Sequence, residues 1–478
     1  MGRAFRTKNA EPRTKNLSVF CLLAVVCCLL SGCLRSPTDR GRQDRGSSNT
    51  PALHHSNTPV VLRFSVLGAK QEADLANALV KGFEAGHPNI KINVEPVAGM
   101  GYDIKLVMQS AAGTLPDVVF LADSLVPTFT KYQVVRDLRP FIQKDPEFPI
   151  NDIYPQMLAT GMDKQGRIFQ LPRELGVVVM FYNRALFRKA GLPEPTADWT
   201  RKDFLRMARK LTLRDKEGRV TQYGFSAGYT WCGVYAPWVA SEGGRVVTAD
   251  GQRAAFSSPE SLKGLEDLIR LVTVEKVAMP PNRSITIPGV DPFAAGKIAM
   301  QPQVFPQVPF YRATMKDGDW DVQVMPAGTM RRVTNMGAAG YGMSTNTKHP
   351  KEAWEFLKFI VSPEGQRILA ASGSGIPCLK SLAKDPCWRT PSRPPASALA
   401  HSSLITHPSQ HPALNYDAFI KSVEFGMGWE DFLILTRPEV QDAVNQAFEK
   451  SFLGQSSVQD AFKEADTKIN TILREKDE

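Results

Sequence analysis

Four large rings fall within ten residues in the segment YTWCGVYAPW: Tyr229, Trp231, Tyr235 and Trp238. Such rings offer flat faces to the C–H faces of a polyhydroxylated molecule, and their hydroxyl and indole groups can hydrogen-bond to it. The stretch is flanked by glycines and only weakly periodic, which predicts a surface platform. Core packing is the other reading, because Trp and Tyr bury readily once their polar atoms find partners. Polar candidates stand elsewhere. Asp123 and Ser124 follow the apolar run VVFLA at the carboxyl end of an expected strand, where open α/β sheets bind ligands, although the same pair could cap a helix. Arg173 and Glu174 either face a ligand or pair with each other.

Other chemistries find less support. A hydrolase needs two carboxylates across a scissile bond, or a nucleophile with a base, and the chain is expected to contain neither a G-x-S-x-G nor an HExxH motif. Metal capture by His401, His407 and His411, near Cys378 and Cys387, is opposed by the prolines of HPSQHP, which disfavour the helix such a pair of ligands would need. No cofactor is expected.

The elements that must position these residues begin at Val60. VVLRFSV reads as a buried strand, and QEADLANALVKGFEAGHP as a helix with Leu75, Leu79 and Phe83 on one face. IKINVEPV is a second strand, YDIKLVMQSAAG a helix, and PDVVFLAD a third strand, apolar throughout as parallel strands covered on both sides tend to be. That alternation predicts an α/β domain. Further on, KEAWEFLKFIVSPEGQRILA carries a helical stripe of Ala353, Phe356, Leu357 and Ile360, and the tail from Glu439 reads as two amphipathic helices. Residues 386–415, rich in Pro, Ser and His, are expected to form a long surface excursion.

The N-terminus has its own signature. Arg3, Arg6, Lys8, Arg13 and Lys15 precede the uncharged run Leu17–Leu30, 14 residues long. A spanning helix needs about 20, so the run reads as an export signal removed after use. Leu30-Ser31-Gly32-Cys33 resembles the lipobox of bacterial lipoproteins, which implies that residues 1–32 are cleaved and that Cys33 carries lipid. Residues 33–59, polar and lacking apolar periodicity, are expected to be a disordered tether. Of the formal charge of +10, the signal holds +4 and the tether +2, so the remainder reads as mildly basic and unclustered, which argues against a nucleic-acid partner. Cys378 and Cys387 are the pair closest in sequence that could bridge in an oxidising compartment.

From about Val60 onward the order of segments resembles the extracytoplasmic solute-binding proteins of ABC importers, in particular the maltose-binding-like branch. The residues carrying the resemblance are FEAGHPNIKINVEPV, LPDVVFLADS, DKQGRIFQLPRELGVVVMFYNRALFRKAGLPEPTADWTRKDF, FAAGKIAM, VQVMPAG, GAAGYGMS and AWEFLKFIVSPEGQ. The resemblance implies a two-lobed periplasmic-binding-protein-like fold, with ligand in a cleft between lobes joined by hinge segments. The crossings would lie near Leu171–Gly176, Trp320–Val322 and Gly373–Pro377. The first lobe would take residues 60–172 and 322–374, and the second 173–321 and 375–478. Phe305, Tyr341 and Trp429 fall where ligand-contacting segments of that family lie, and Tyr182-Asn183 belongs to its pattern as structure. The implied function is that of a lipid-anchored monomer outside the cytoplasm. It would capture a mono- or oligosaccharide, or another solute such as a sugar phosphate, and deliver it to ABC permease subunits. Against the family pattern, the first strand ends in Val66-Leu67-Gly68 where an aromatic is common.

Overall fold

The computed structural model describes residues 59–97, 101–122, 125–163, 165–226, 228–229, 231–280, 290–337, 339–389, 414–427, 434–435 and 437–474. The export signal, Cys33 and nearly all of the expected tether lie outside the described residues, as do residues 390–413 of the expected excursion.

In chain order the elements that matter below begin with β1 (Val60–Leu67), α1 (Lys70–Gly86), β2 (Ile90–Val97), α2 (Tyr102–Ala111), β3 (Val118–Leu121), β4 (Leu171–Pro172) and β5 (Val179–Tyr182). Next come α3 (Arg201–Leu211), β6 (Leu213–Arg214), β7 (Val220–Gln222), α4 (Cys232–Ala240), α5 (Pro259–Thr273), β8 (Met300–Gln303) and β9 (Asp321–Gln323). The chain ends with β10 (Gly340–Met343), α6 (Pro350–Ile360), α7 (Pro363–Ala371), α8 (Pro386–Arg389), α9 (Pro438–Phe452) and α10 (Val458–Arg474).

Two sheets organise two cores. The first has the order β2-β1-β3-β10-β4, with β1 parallel to β2 and β3, and β10 antiparallel to β3 and β4. All four residues of β3 are buried, as expected for a strand covered on both faces. Leu75, Leu79 and Phe83 of α1 pack beneath this sheet with Phe64, Phe356 and Leu357. The second sheet, β8-β5-β9, is antiparallel and sits among Phe187, Trp199, Phe204, Phe225, Tyr311 and Phe419. This is the two-lobed α/β architecture that the resemblance implied.

The structure departs from expectation at three places. The stripe of Ala353, Phe356, Leu357 and Ile360 is buried, but its helix stops at Ile360. Pro363 then opens α7, with the Ser362 side chain accepting a hydrogen bond from Gly365 N. A proline suits the first turn of a helix and not its interior, so the run becomes two helices. Residues 320–322, expected at a crossing, lie at β9 inside the second sheet, and the chain moves to the first sheet only between Gln323 and Gly340. Cys378, Leu379 and Leu382, beyond the third expected crossing, pack in the first core. Trp388 of α8 is where the chain enters the second core to stay.

The segments joining the two cores lie side by side. Leu175 N donates to Ile376 O at 2.8 Å on one flank of the first crossing. On the other, Gly337 N donates to Gly176 O at 3.2 Å and Val178 N to Asn335 O at 3.1 Å. Gln366 of α7 ties the ensemble to the first lobe: its Nε2 donates to Arg173 O at 3.0 Å, and its Oε1 accepts from Cys378 N at 2.8 Å.

Candidate functional site

At the carboxyl edge of the first sheet, where α1 begins and the first crossing leaves, three charged side chains converge. Arg173 Nε and Nη2 donate to Glu174 Oε2 at 3.0 and 2.8 Å, and its Nη1 donates to Glu72 in the first turn of α1. The guanidinium carbon lies 5.5 Å from the centre of the Phe120 ring on β3. Gln71, beside Glu72, donates to Ser374 Oγ at 3.2 Å, bringing the third crossing to the same edge. The Arg173 side chain is 7 % exposed. Burial works against its charge, but Glu174, Tyr341 and Glu72 override it and raise the guanidinium pKa. Burial lifts Glu174 above the usual carboxylate range, with Arg173 pulling it down. Glycine at 375 makes room for this cluster, because a methyl there would stand 2.4 Å from Glu174 Oε2.

Arg173 and Glu174 thus pair with each other, with Glu72 as a third member. The position of Glu72 just past the end of β1 is the signal that could have found it, the same rule that singled out Asp123. Tyr341 of β10 is buried between Phe64 and Phe120, at 5.3 and 6.0 Å between ring centres, and burial raises its hydroxyl pKa. Asp123, Ser124 and Trp429 lie outside the described residues.

In the second lobe the four rings do not form a surface platform. All nine residues of α4 are buried, so Tyr235 and Trp238 belong to the core. Tyr235 lies 5.4 Å from Phe448, and Trp238 lies 3.8 Å beneath the Arg201 guanidinium. Tyr229 is buried against Phe452 of α9 at 4.7 Å, and among the described residues its hydroxyl has no hydrogen-bond partner. Trp231, at the N-cap of α4, alone of the four stays partly exposed. Its ring lies over Gly233, where a methyl would come within 2.5 Å of the indole Cε2. Phe305 is buried against Phe419 and Trp388, at 5.5 and 6.0 Å. Asn183 caps the following helix by accepting from Leu186 N at 3.0 Å, and Tyr182 donates to Glu194 at 2.9 Å.

Two expectations about reactive groups are settled by position. Cys378 and Cys387 are free thiols rather than a bridge. The letters G-x-S-x-G do occur, contrary to expectation, at Gly224–Gly228 (GFSAG). A nucleophile elbow requires a sharp turn from strand directly into helix. Here Phe225 bridges Ala278 in extended pairing, Ser226 N donates to Met300 O at 3.0 Å, and α4 starts only at Cys232. Among the described residues there is no cluster of His, Cys, Asp and Glu that could hold a metal ion.

A two-cored α/β body with hydrogen-bonded crossings and a polar cluster at their edge defines a class of binding protein, and comparison gives the family. Residues 69–367 match the family of bacterial extracellular solute-binding proteins, and the chain belongs to it. An uncharacterised ABC transporter extracellular-binding protein of Pyrococcus horikoshii is 25% identical over 385 residues, covering 76% of this chain and 79% of the relative. The galactooligosaccharide-binding protein of Bacillus subtilis is 21% identical over 425 residues, covering 84% of this chain and 89% of its own length. Among solved structures, an ABC substrate-binding protein of Listeria monocytogenes in complex with cycloalternan superposes with a TM-score of 0.70 at 26% identity, covering 87% of this chain and 99% of that one. The sugar-binding protein MalE of Xanthomonas citri gives a TM-score of 0.73 at 18% identity, covering 87% and 98%. Membership of an extracellular family gives the chain an extracytoplasmic location. No helix among the described residues is long and apolar enough to cross a membrane.

Proposed function

We propose that this chain captures a mono- or oligosaccharide between its two lobes and delivers it to the permease of an ABC transporter, held to the cell envelope by lipid on Cys33. The observation that carries the reading is the set of adjoining crossings between two separately packed cores. A hinge of that kind lets two rigid bodies close on a solute without repacking either one. Sugar is favoured by some of the company the chain keeps: the galactooligosaccharide-binding and multiple sugar-binding relatives and the MalE neighbour are sugar-binding proteins by name, and the Listeria neighbour is in complex with cycloalternan. The site needs an aromatic face and carboxylate acceptors. Trp231 supplies the first. Glu72 and Glu174 supply the second, because Arg173 draws on Oε2 of each and both carboxylates have another oxygen to offer a hydroxyl. Asp123, Ser124 and Trp429 complete the proposed lining. Tyr229, Tyr235, Trp238, Phe305 and Tyr341 are buried in the cores and are left out of this lining.

The test is a thermal-shift screen against sugars and sugar phosphates. A sugar at a hundred times its Kd adds about 2.7 kcal/mol to the folded state, a shift readily seen. A shift with sugar phosphates alone moves the assignment to a phosphorylated solute. A folded protein that responds to no member of the panel removes the sugar assignment.

A further inference from the structure

The small positive surplus of the folded body is not evenly spread. Residues 60–478 carry a formal +4, yet residues 184–219 alone hold eleven Lys and Arg against five Asp and Glu, so the rest of the body is net acidic. The expectation of unclustered charge therefore does not hold. Structure concentrates part of this excess further. Arg214 of β6 donates to Gly218 O at 3.1 Å across the hairpin turn and to Lys276 O at 3.4 Å, and Arg209 of α3 pairs with Glu275. The end of α3, the β6–β7 hairpin and the turn after α5 thus form one surface bearing Lys210, Arg214, Lys216 and Lys276. All four are exposed, and among the described residues none has a carboxylate partner. Two apolar side chains stand among them, Leu213 at 41 % exposure and Val274 at 56 %.

The position of this surface follows from strand direction. β5 starts beside the crossings at Val179 and runs away from them, and β8 returns antiparallel with Gln303 opposite Val179. Residues 223–226 run alongside β8 toward the crossings, with Tyr223 bridging Ile298 in parallel and Ser226 N bonded to Met300 O. The hairpin that precedes them lies at the far end of the second lobe, away from the candidate site.

We propose that this basic, apolar-studded end of the second lobe is a docking surface for an anionic lipid bilayer. Cations attract acidic headgroups, while exposed Leu and Val suit the shallow apolar layer beneath them, a combination that a soluble polyanion would not use. Docked in this way, the edge bearing the crossings stays clear of the bilayer. This proposal does not depend on which solute is bound.

Lysine footprinting tests it on the full chain, lipidated or not, because the readout is local. The protein is mixed with vesicles of phosphatidylcholine, or of phosphatidylcholine with phosphatidylglycerol, acetylated briefly and mapped by mass spectrometry. Lys210, Lys216 and Lys276 should react at least about five-fold more slowly on the anionic vesicles, the factor expected of one basic residue at such a surface. Lys351 and Lys463, exposed elsewhere, should be unaffected. High salt should abolish the protection, and a Leu213→Ser, Arg214→Gln variant should lose most of it. Equal reactivity on the two vesicle types would overturn the proposal. So would equal protection by dissolved polyphosphate or polyglutamate without vesicles, which would mark a generic polyanion site.

Discussion

Two nitrogens of Arg173, Nε and Nη2, converge on a single oxygen of Glu174, at 3.0 and 2.8 Å, while the third is turned to Glu72 on α1. One buried cation thus holds two carboxylates at the place where the chain leaves the first lobe. Replacing Arg173 with Met strands both acids, and breaking a buried pair in this way costs about 3–5 kcal/mol near neutral pH. The sign with pH follows. Without the guanidinium nothing offsets the burial that lifts Glu174, so its folded pKa lies above the unfolded one and its contribution, fully present only below the unfolded value, is lost as pH rises. Urea melts of Arg173→Met should approach the parent at acid pH and fall well short of it at pH 7. A deficit independent of pH would contradict the assignment.

Trp231 and Trp238 lie seven residues apart and are expected to fail in different ways. Trp231→Ala should leave the melting temperature nearly unchanged and weaken sugar binding at least about ten-fold, the loss of one stacking face and its buried area. Trp238→Ala removes a ring packed under Arg201 and should cost about 3–5 kcal/mol of stability. Calorimetric titration alongside denaturant melts separates the two.

Glu242 gives a second pH dependence, of opposite sign. Its side chain is fully buried, accepts from Arg201 and from Thr329 N at 3.0 Å each, and pairs with Lys263. Burial opposes its charge, but hydrogen bonds from Lys263 and Thr329 hold it below the ordinary 4.5. Its contribution is therefore present above pH 4.5 and lost as the pH falls through the lower folded value. Glu242→Gln should be markedly destabilised at neutral pH, with the gap to the parent closing in acid. A gap that widens in acid would reverse the assignment.

The thiols should be unreactive and unbridged. Burial raises the Cys378 pKa, and burial with Asp385 beside it leaves Cys387 pushed up to about 12, so little thiolate exists at neutral pH. Peptide maps of native protein, alkylated after unfolding, should be the same with and without prior reduction. A linked Cys378–Cys387 peptide would contradict the structure.

Legibility in the sequence tracked local periodicity. β1, α1, β2 and α2 could be read because their apolar residues repeat at two or at three to four, and β3 because a short unbroken apolar run marks a strand covered on both faces; the α/β class followed from their order. α4 could not, because a helix apolar on every side has no period, and a helix of that kind beside glycines resembles a platform. The Glu72–Arg173 bond joins residues 101 apart, beyond the reach of any local pattern. The second crossing was expected too early, where a three-residue strand, β9, carries too little signal to claim its sheet.

The bonded crossings bear on protein engineering. Backbone bonds join Leu175 to Ile376, Gly176 to Gly337 and Val178 to Asn335, and Gln366 clasps the peptide groups of Arg173 and Cys378. Chimaeras that swap one lobe for that of a relative must carry the whole seam from one parent, because a junction cut through it would ask strands of different origin to keep a common register.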